Sequence, residues 1–165
     1  MKMTKDVVPE GFTLPLAAVD ALPVLFFGGS MILIGLLFKS ALFLMGALLC
    51  LWAGAAKVIW KIIVVVKRKN IWWLFMQMRI VMPVGFALML IAVGLHWSDI
   101  DRSAVLAAVV SLPSVIFFVI GALGMVLMGV FASKLDSSDA RANWIEQLTN
   151  GTAQAAIFIG LLLLS

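Results

Sequence analysis

Only Lys39 and Ser40 separate two apolar stretches, Ala21 to Phe38 and Ala41 to Trp60, each close to the length that crosses a bilayer as a helix. So short a break holds no independent soluble segment, and the two stretches are expected to form a tight antiparallel hairpin within a membrane. The alternation continues along the sequence, and helices are expected at about 21–38, 41–66, 71–95, 104–133 and 143–165. With 64% hydrophobic and 12% charged residues, the composition excludes an ordinary soluble domain. The fold class expected is therefore an all-α integral membrane protein. It would form one transmembrane domain over residues 1–165, with about five spans, in a cell or inner membrane.

Local signals place the details. Asp20 ahead of Ala21-Leu22-Pro23 reads as the N-cap of the first span, with Gly11 to Val19 as an interfacial lead-in. No small-residue cleavage site follows the N-terminal charges, so the first span is expected to be retained. Trp72 and Trp73 open the third span at interface depth, with Gln77 and Arg79 further in, and a kink is expected at Pro83 and Gly85. Ala104 to Ser133 is longer than one span needs and contains Pro113. Two readings stay open: a long kinked helix, or an interfacial Ala104 to Leu112 followed by a span from Pro113. Ser137, Ser138 and Asp139 are candidate caps for the fifth span.

Charge sets the expected orientation. Lys57, Lys61, Lys67, Arg68, Lys69, Arg79, Lys134 and Arg141 fall on the same side of five spans as Lys2 and Lys5, while only Lys39 and Arg102 fall on the other. By the positive-inside rule the N-terminus is cytoplasmic and the C-terminus outside. The net charge of +4 thus reads as a topology signal, and no nucleic-acid partner is expected.

The fifth span carries the most specific pattern. At helical periodicity Asn143, Glu146, Gln147, Asn150 and Gln154 share one stripe roughly 100° wide on an otherwise apolar or small-residue helix. With Ser165 at the far surface, Gln154 lies roughly 16 Å inside it, near the middle of the bilayer. Carboxamides at that depth need partners. A water-filled pathway, a self-associating polar seam and headgroup contact are the three readings. Arg79 and Glu146, both near the cytoplasmic edge, are a candidate ion pair. Gly28, Gly29, Gly46, Gly54 and Gly121 supply small faces for close helix packing, including packing between copies, and Gly28-Gly29-Ser30 is the candidate break through which a polar route would continue.

Other residues carry less. The single Cys50 excludes an internal disulfide and a paired-cysteine redox motif. His96, Asp99 and Asp101 share a loop too short to close a metal site, so no metal and no cofactor are expected. Asn150-Gly151-Thr152 matches a glycosylation sequon by chance, inside a span. Met76, Met78 and Met82 read as packing filler. No nucleophile, base or phosphate loop is readable, and no enzyme is expected. The expected function is an oligomeric channel or transporter component with a polar route lined by the fifth span. The alternatives are an accessory subunit docking through the stripe onto a larger membrane complex, and a lipid-binding protein that uses Lys57 to Lys69 to hold headgroups. The expected partners are accordingly the lipid bilayer and either further copies of the chain or other membrane subunits.

Overall fold

A computed structural model of the chain describes residues 12–135 and 140–164; Ser137, Ser138 and Asp139 lie outside them. Its elements are α1 (Leu14–Leu37), α2 (Ala41–Lys67), α3 (Trp72–Met76), α4 (Met78–Leu95), α5 (Arg102–Val110), α6 (Ser114–Lys134) and α7 (Ala140–Leu162), with no strand among the described residues. Four segments are long and apolar enough to cross a membrane: α1, α2, the α3–α4 pair and α6. At 23 residues α7 has the length as well, but its first half carries the polar stripe.

The hairpin between α1 and α2 shows how two residues suffice. Lys39 takes a left-handed conformation at φ 48° while its N–H donates to the Leu36 carbonyl, and the Ser40 N–H reaches back to the Gly35 carbonyl at 3.4 Å. This pairing closes the end of a helix in the manner usually assigned to glycine. Ser40 at once becomes the N-cap of α2, accepting from the Phe43 N–H at 3.4 Å. One residue therefore ends one span and its neighbour starts the next.

Three boundaries differ from the sequence reading. Thr13, not Asp20, caps α1: its hydroxyl accepts from the Leu16 N–H at 3.3 Å, and Pro15 takes the proline-tolerant first turn. Asp20 and Pro23 are thus inside the helix. The break in the third span falls at Gln77, and α4 runs on through Pro83 and Gly85. Here the Gln77 side-chain amide donates both to the Ala53 carbonyl of α2 at 3.0 Å and to the Leu74 carbonyl of its own helix at 3.3 Å. The fifth helix begins at Ala140, three residues before the expected Asn143. The long fourth stretch is divided, as in the second reading, and it is the division alone that the helices show. The Ser111–Pro113 turn separates α6 from α5, a nine-residue helix with no buried residue, capped by Asp101. The Ser103 hydroxyl, with the backbone N–H groups of Ala104 and Ser103, holds the exposed Asp101 carboxyl below the usual carboxylate range.

Close approaches at glycines fix the helix directions. Gly28 meets Leu51 while Gly54 meets Val24, so α1 and α2 are antiparallel. Gly46 meets both Gly85 and Met89, and α6 approaches α7 through Gly121 at Ile157 and Gly124 at Ala153, both antiparallel crossings. Gly29 meets Phe158 and Gly151 meets Leu22, so α1 and α7 are parallel and begin at the same end of the bundle. The packing order is α4, α2, α1, α7, α6. The two outer members of this row, α4 and α6, do not pack closely on each other, so the row forms an arc.

The glycines expected at helix contacts are therefore used within the chain. Gly28 and Gly54 serve the α1–α2 contact, Gly29 the α1–α7 contact, Gly46 the α2–α4 contact and Gly121 the α6–α7 contact. These five positions are occupied by neighbours inside the chain and not by a second copy. The outer surface is instead studded with large apolar side chains, among them Leu25, Leu37, Ile80, Leu90 and Val126. Such a surface suits lipid.

Candidate functional site

The inner side of the arc holds a half-open cavity of about 350 Å³ to which five helices contribute. The parallel pair α1 and α7 supplies its polar wall: Asp20 on α1, and Glu146, Gln147, Asn150 and Gln154 on α7. Lys57, Gly54 and Cys50 come from α2. Four methionines complete the sides, Met78 and Met82 from α4 with Met125 and Met128 from α6. Glu146 and Gln154 are separated by eight residues, so the polar wall is roughly 12 Å tall at helical rise.

The stripe read from the sequence thus faces a cavity rather than lipid. Asn143, one turn below Glu146, is buried beneath it and is not part of the lining. Gln154 donates through Nε2 to the Met125 sulfur at 3.4 Å, which ties α7 to α6 at the upper end. Glu146, Gln147 and Asn150 make no hydrogen bond and no ion pair with a described residue, although Gln147 is only 7% exposed. Lys57, across from them on α2, likewise has no carboxylate within 4.0 Å among the described residues. The cavity therefore holds an acid, a base and two carboxamides whose polar atoms are free to meet a guest or water.

Asp20 is differently placed. Its carboxylate Oδ2 lies 2.9 Å from the Lys61 Nζ, and both side chains are almost fully enclosed. The Phe12 ring covers the ammonium, whose nitrogen is 5.4 Å from the ring centroid, and Phe12 packs edge-on against the buried Trp60. Trp60 in turn donates to the Asn70 side chain at 3.0 Å. The pair is thus sealed behind aromatic rings at the end of the bundle where α1 begins, and it presents only the Asp20 side to the cavity.

The chain matches no protein-family model, no curated protein and no solved structure.

Two of the sequence expectations are corrected by this geometry. Arg79 and Glu146 are not brought together: Arg79 is exposed on the outer side of α4, its guanidinium over the Phe75 ring at 5.7 Å, while Glu146 faces the cavity on a helix that α4 does not touch. The pair that does form is Asp20 with Lys61. Nor does Gly28-Gly29-Ser30 open a route. The helix is continuous there, Leu51 fills the space beside Gly28, Phe158 fills that beside Gly29, and Ser30 is fully buried. Just below, the rings of Phe27 and Phe86 lie 5.7 Å apart and close the cavity from above.

The basic cluster of α2 also divides. Lys61 is buried in its pair and Lys57 faces the cavity, so only Lys67, Arg68 and Lys69 remain exposed at the helix end. The loop residues have local roles: His96 Nδ1 lies 3.1 Å from the Asp99 carboxylate, and Asp101 caps α5. Sequence reasoning missed the cavity roles of Lys57, Cys50 and the methionines. The one available signal was the spacing of Lys57 and Lys61, four residues apart and so on one helix face, within a span that has no other charge until Lys67.

Proposed function

We propose that this chain is a five-span membrane protein that binds a small polar solute in its central cavity, as a component of a channel or transporter. The observation that carries this reading is the cavity itself: polar side chains from α1, α2 and α7 converge on one space inside a bundle whose outer surface is apolar. Membrane interiors hold ionisable and amide side chains where a polar guest or water meets them. The Phe27–Phe86 contact serves as the hydrophobic constriction above the site. The open side of the arc, between α4 and α6, is where a second subunit or another copy would complete the wall. In this reading the N-terminus is cytoplasmic, the cavity opens from that side, and the protein performs no catalysis. The docking alternative would need the stripe on the outer surface, whereas four of its five residues line the cavity.

Replacing Asn150 or Gln154 by Leu tests the reading. Apolar side chains are tolerated in a bilayer, so both variants should keep their assembly mass in mild detergent yet lose solute or water flux in proteoliposomes. Dissociation of the assembly on Asn150→Leu would show that the stripe holds subunits together and would overturn the pathway reading.

Orientation is tested separately in a Cys50→Ala background. A cysteine at Lys69 should be protected from an impermeant thiol reagent in intact cells, and one at Asp99 should be labelled. Labelling at Lys69 would reverse the topology.

A further inference from the structure

The charges around the cavity narrow the class of guest, and this inference rests on the reading of the cavity as a solute site. Asp20 is paired with Lys61 at 2.9 Å, and the other two charged side chains in the lining, Lys57 on α2 and Glu146 on α7, have no oppositely charged group within 4.0 Å among the described residues, although Glu146 lies within electrostatic reach of Lys61. Lys57 and Glu146 are opposite in sign, sit on different walls of the same space, and are more than 4.0 Å apart. In a low-dielectric surrounding an unpaired ion is costly, and two opposite ions sharing a cavity would be drawn together unless the fold held them apart.

A guest with one charge would satisfy one wall and leave the other unpaired. We infer that the cavity binds a small zwitterion, its anionic group at Lys57 and its cationic group at Glu146, as in a free amino acid. Gln147 is 7% exposed, lines the cavity and has no hydrogen-bond partner among the described residues. With Asn150 it offers both donors and acceptors between the two charges. The methionines of α4 and α6 form the opposite side, a flexible and polarizable surface that moulds to an aliphatic body. A volume of about 350 Å³ has room for a molecule of amino-acid size.

The test uses the purified full chain in detergent with four isosteric probes: L-leucine, L-leucinamide as the cation alone, 4-methylpentanoate as the anion alone, and 4-methylpentanamide as the uncharged form. Glycine and glycine betaine extend the zwitterions to smaller and fully methylated cations. Binding is read by calorimetry and by thermal shift. At least one zwitterion should bind about tenfold or more tightly than either singly charged leucine analogue. Lys57→Gln should bring leucinamide level with leucine, and Glu146→Gln should do the same for 4-methylpentanoate. Equal binding of a singly charged analogue and leucine to the unmodified protein would overturn the inference without needing any variant to fold. Reactivity of Asn150→Cys with a water-soluble thiol reagent separates the two levels of failure. A reactive cysteine with no zwitterion bound overturns the zwitterion and leaves the polar cavity standing; an unreactive one with no zwitterion bound overturns both.

Discussion

Lys61→Met should destabilise the protein by about 3 to 5 kcal/mol, and adding Asp20→Leu to it should restore most of the loss. Lys61 and Asp20 are 4% and 5% exposed, so removing the ammonium leaves a nearly enclosed carboxylate with no ion-pair partner among the described residues. The loss would be the cost of that stranded charge, not the net value of the pair. Replacing both by apolar residues of similar size removes the charge altogether, and for buried pairs such replacement is often neutral or better. Unfolding of the two single variants and the double variant in mild detergent gives the coupling. Two single losses that simply add would show that the groups act independently, against the 2.9 Å geometry. Because Phe12 covers the ammonium, Phe12→Ala should give a smaller loss in the same direction, through entry of water beside Lys61.

Gly46→Leu and Gly85→Leu should be nearly as severe, by about 1 to 3 kcal/mol or more, through overpacking. A methyl carbon at Gly46 would lie 2.5 Å from the Gly85 carbonyl oxygen, and one at Gly85 would lie 2.7 Å from the Gly46 carbonyl oxygen and 2.6 Å from the Cys50 sulfur. Backbone meets backbone at this crossing, so no side chain can swing aside to make room. Forcing α2 and α4 apart would also displace Cys50 and Met82, whose thiol-to-carbonyl contact of 3.6 Å sits at the cavity wall. Gly129 is the control, since nothing lies within 4 Å of an added methyl there. Gly129→Ala should be neutral or slightly stabilising, because alanine favours the helix by about 1 kcal/mol. Equal melting temperatures for Gly46→Leu and Gly129→Ala would rule out the close crossing.

Helical class and most span limits were legible because apolar length and two-residue breaks are local features. Ser40 capping α2 and the division at Pro113 follow from the same local chemistry. The polar stripe was legible too, since helical periodicity alone puts Glu146, Gln147, Asn150 and Gln154 on one face. What that face meets was not, because it depends on which helices lie beside α7. Asp20 shows the difficulty. An acid before Ala21-Leu22-Pro23 looks like a cap, and only the unremarked Thr13-Leu14-Pro15 beginning displaces it into the helix. Its partner Lys61 is forty-one residues away in the sequence, and no local pattern links them. Gln77 is similar, since its side chain bonds to a carbonyl on α2 that the sequence around it does not reveal.

The place of α1 between α2 and α7 bears on how the protein enters the membrane. During synthesis α1 and α2 emerge as a ready hairpin, but the other side of α1 stays uncovered until α7 is made more than a hundred residues later. That late helix falls short of the apolarity of the four segments long and apolar enough to span a membrane, as its polar first half would suggest. Lipid therefore gives it little reason to insert alone. In the five-span reading its entry would depend on α1 and α6 already standing in the bilayer, with the groove between them receiving Glu146 and the carboxamides. Biogenesis is in this sense templated: the least hydrophobic helix is admitted by its neighbours, and a defect in α1 would be expected to surface as a failure to insert the C-terminal part of the chain.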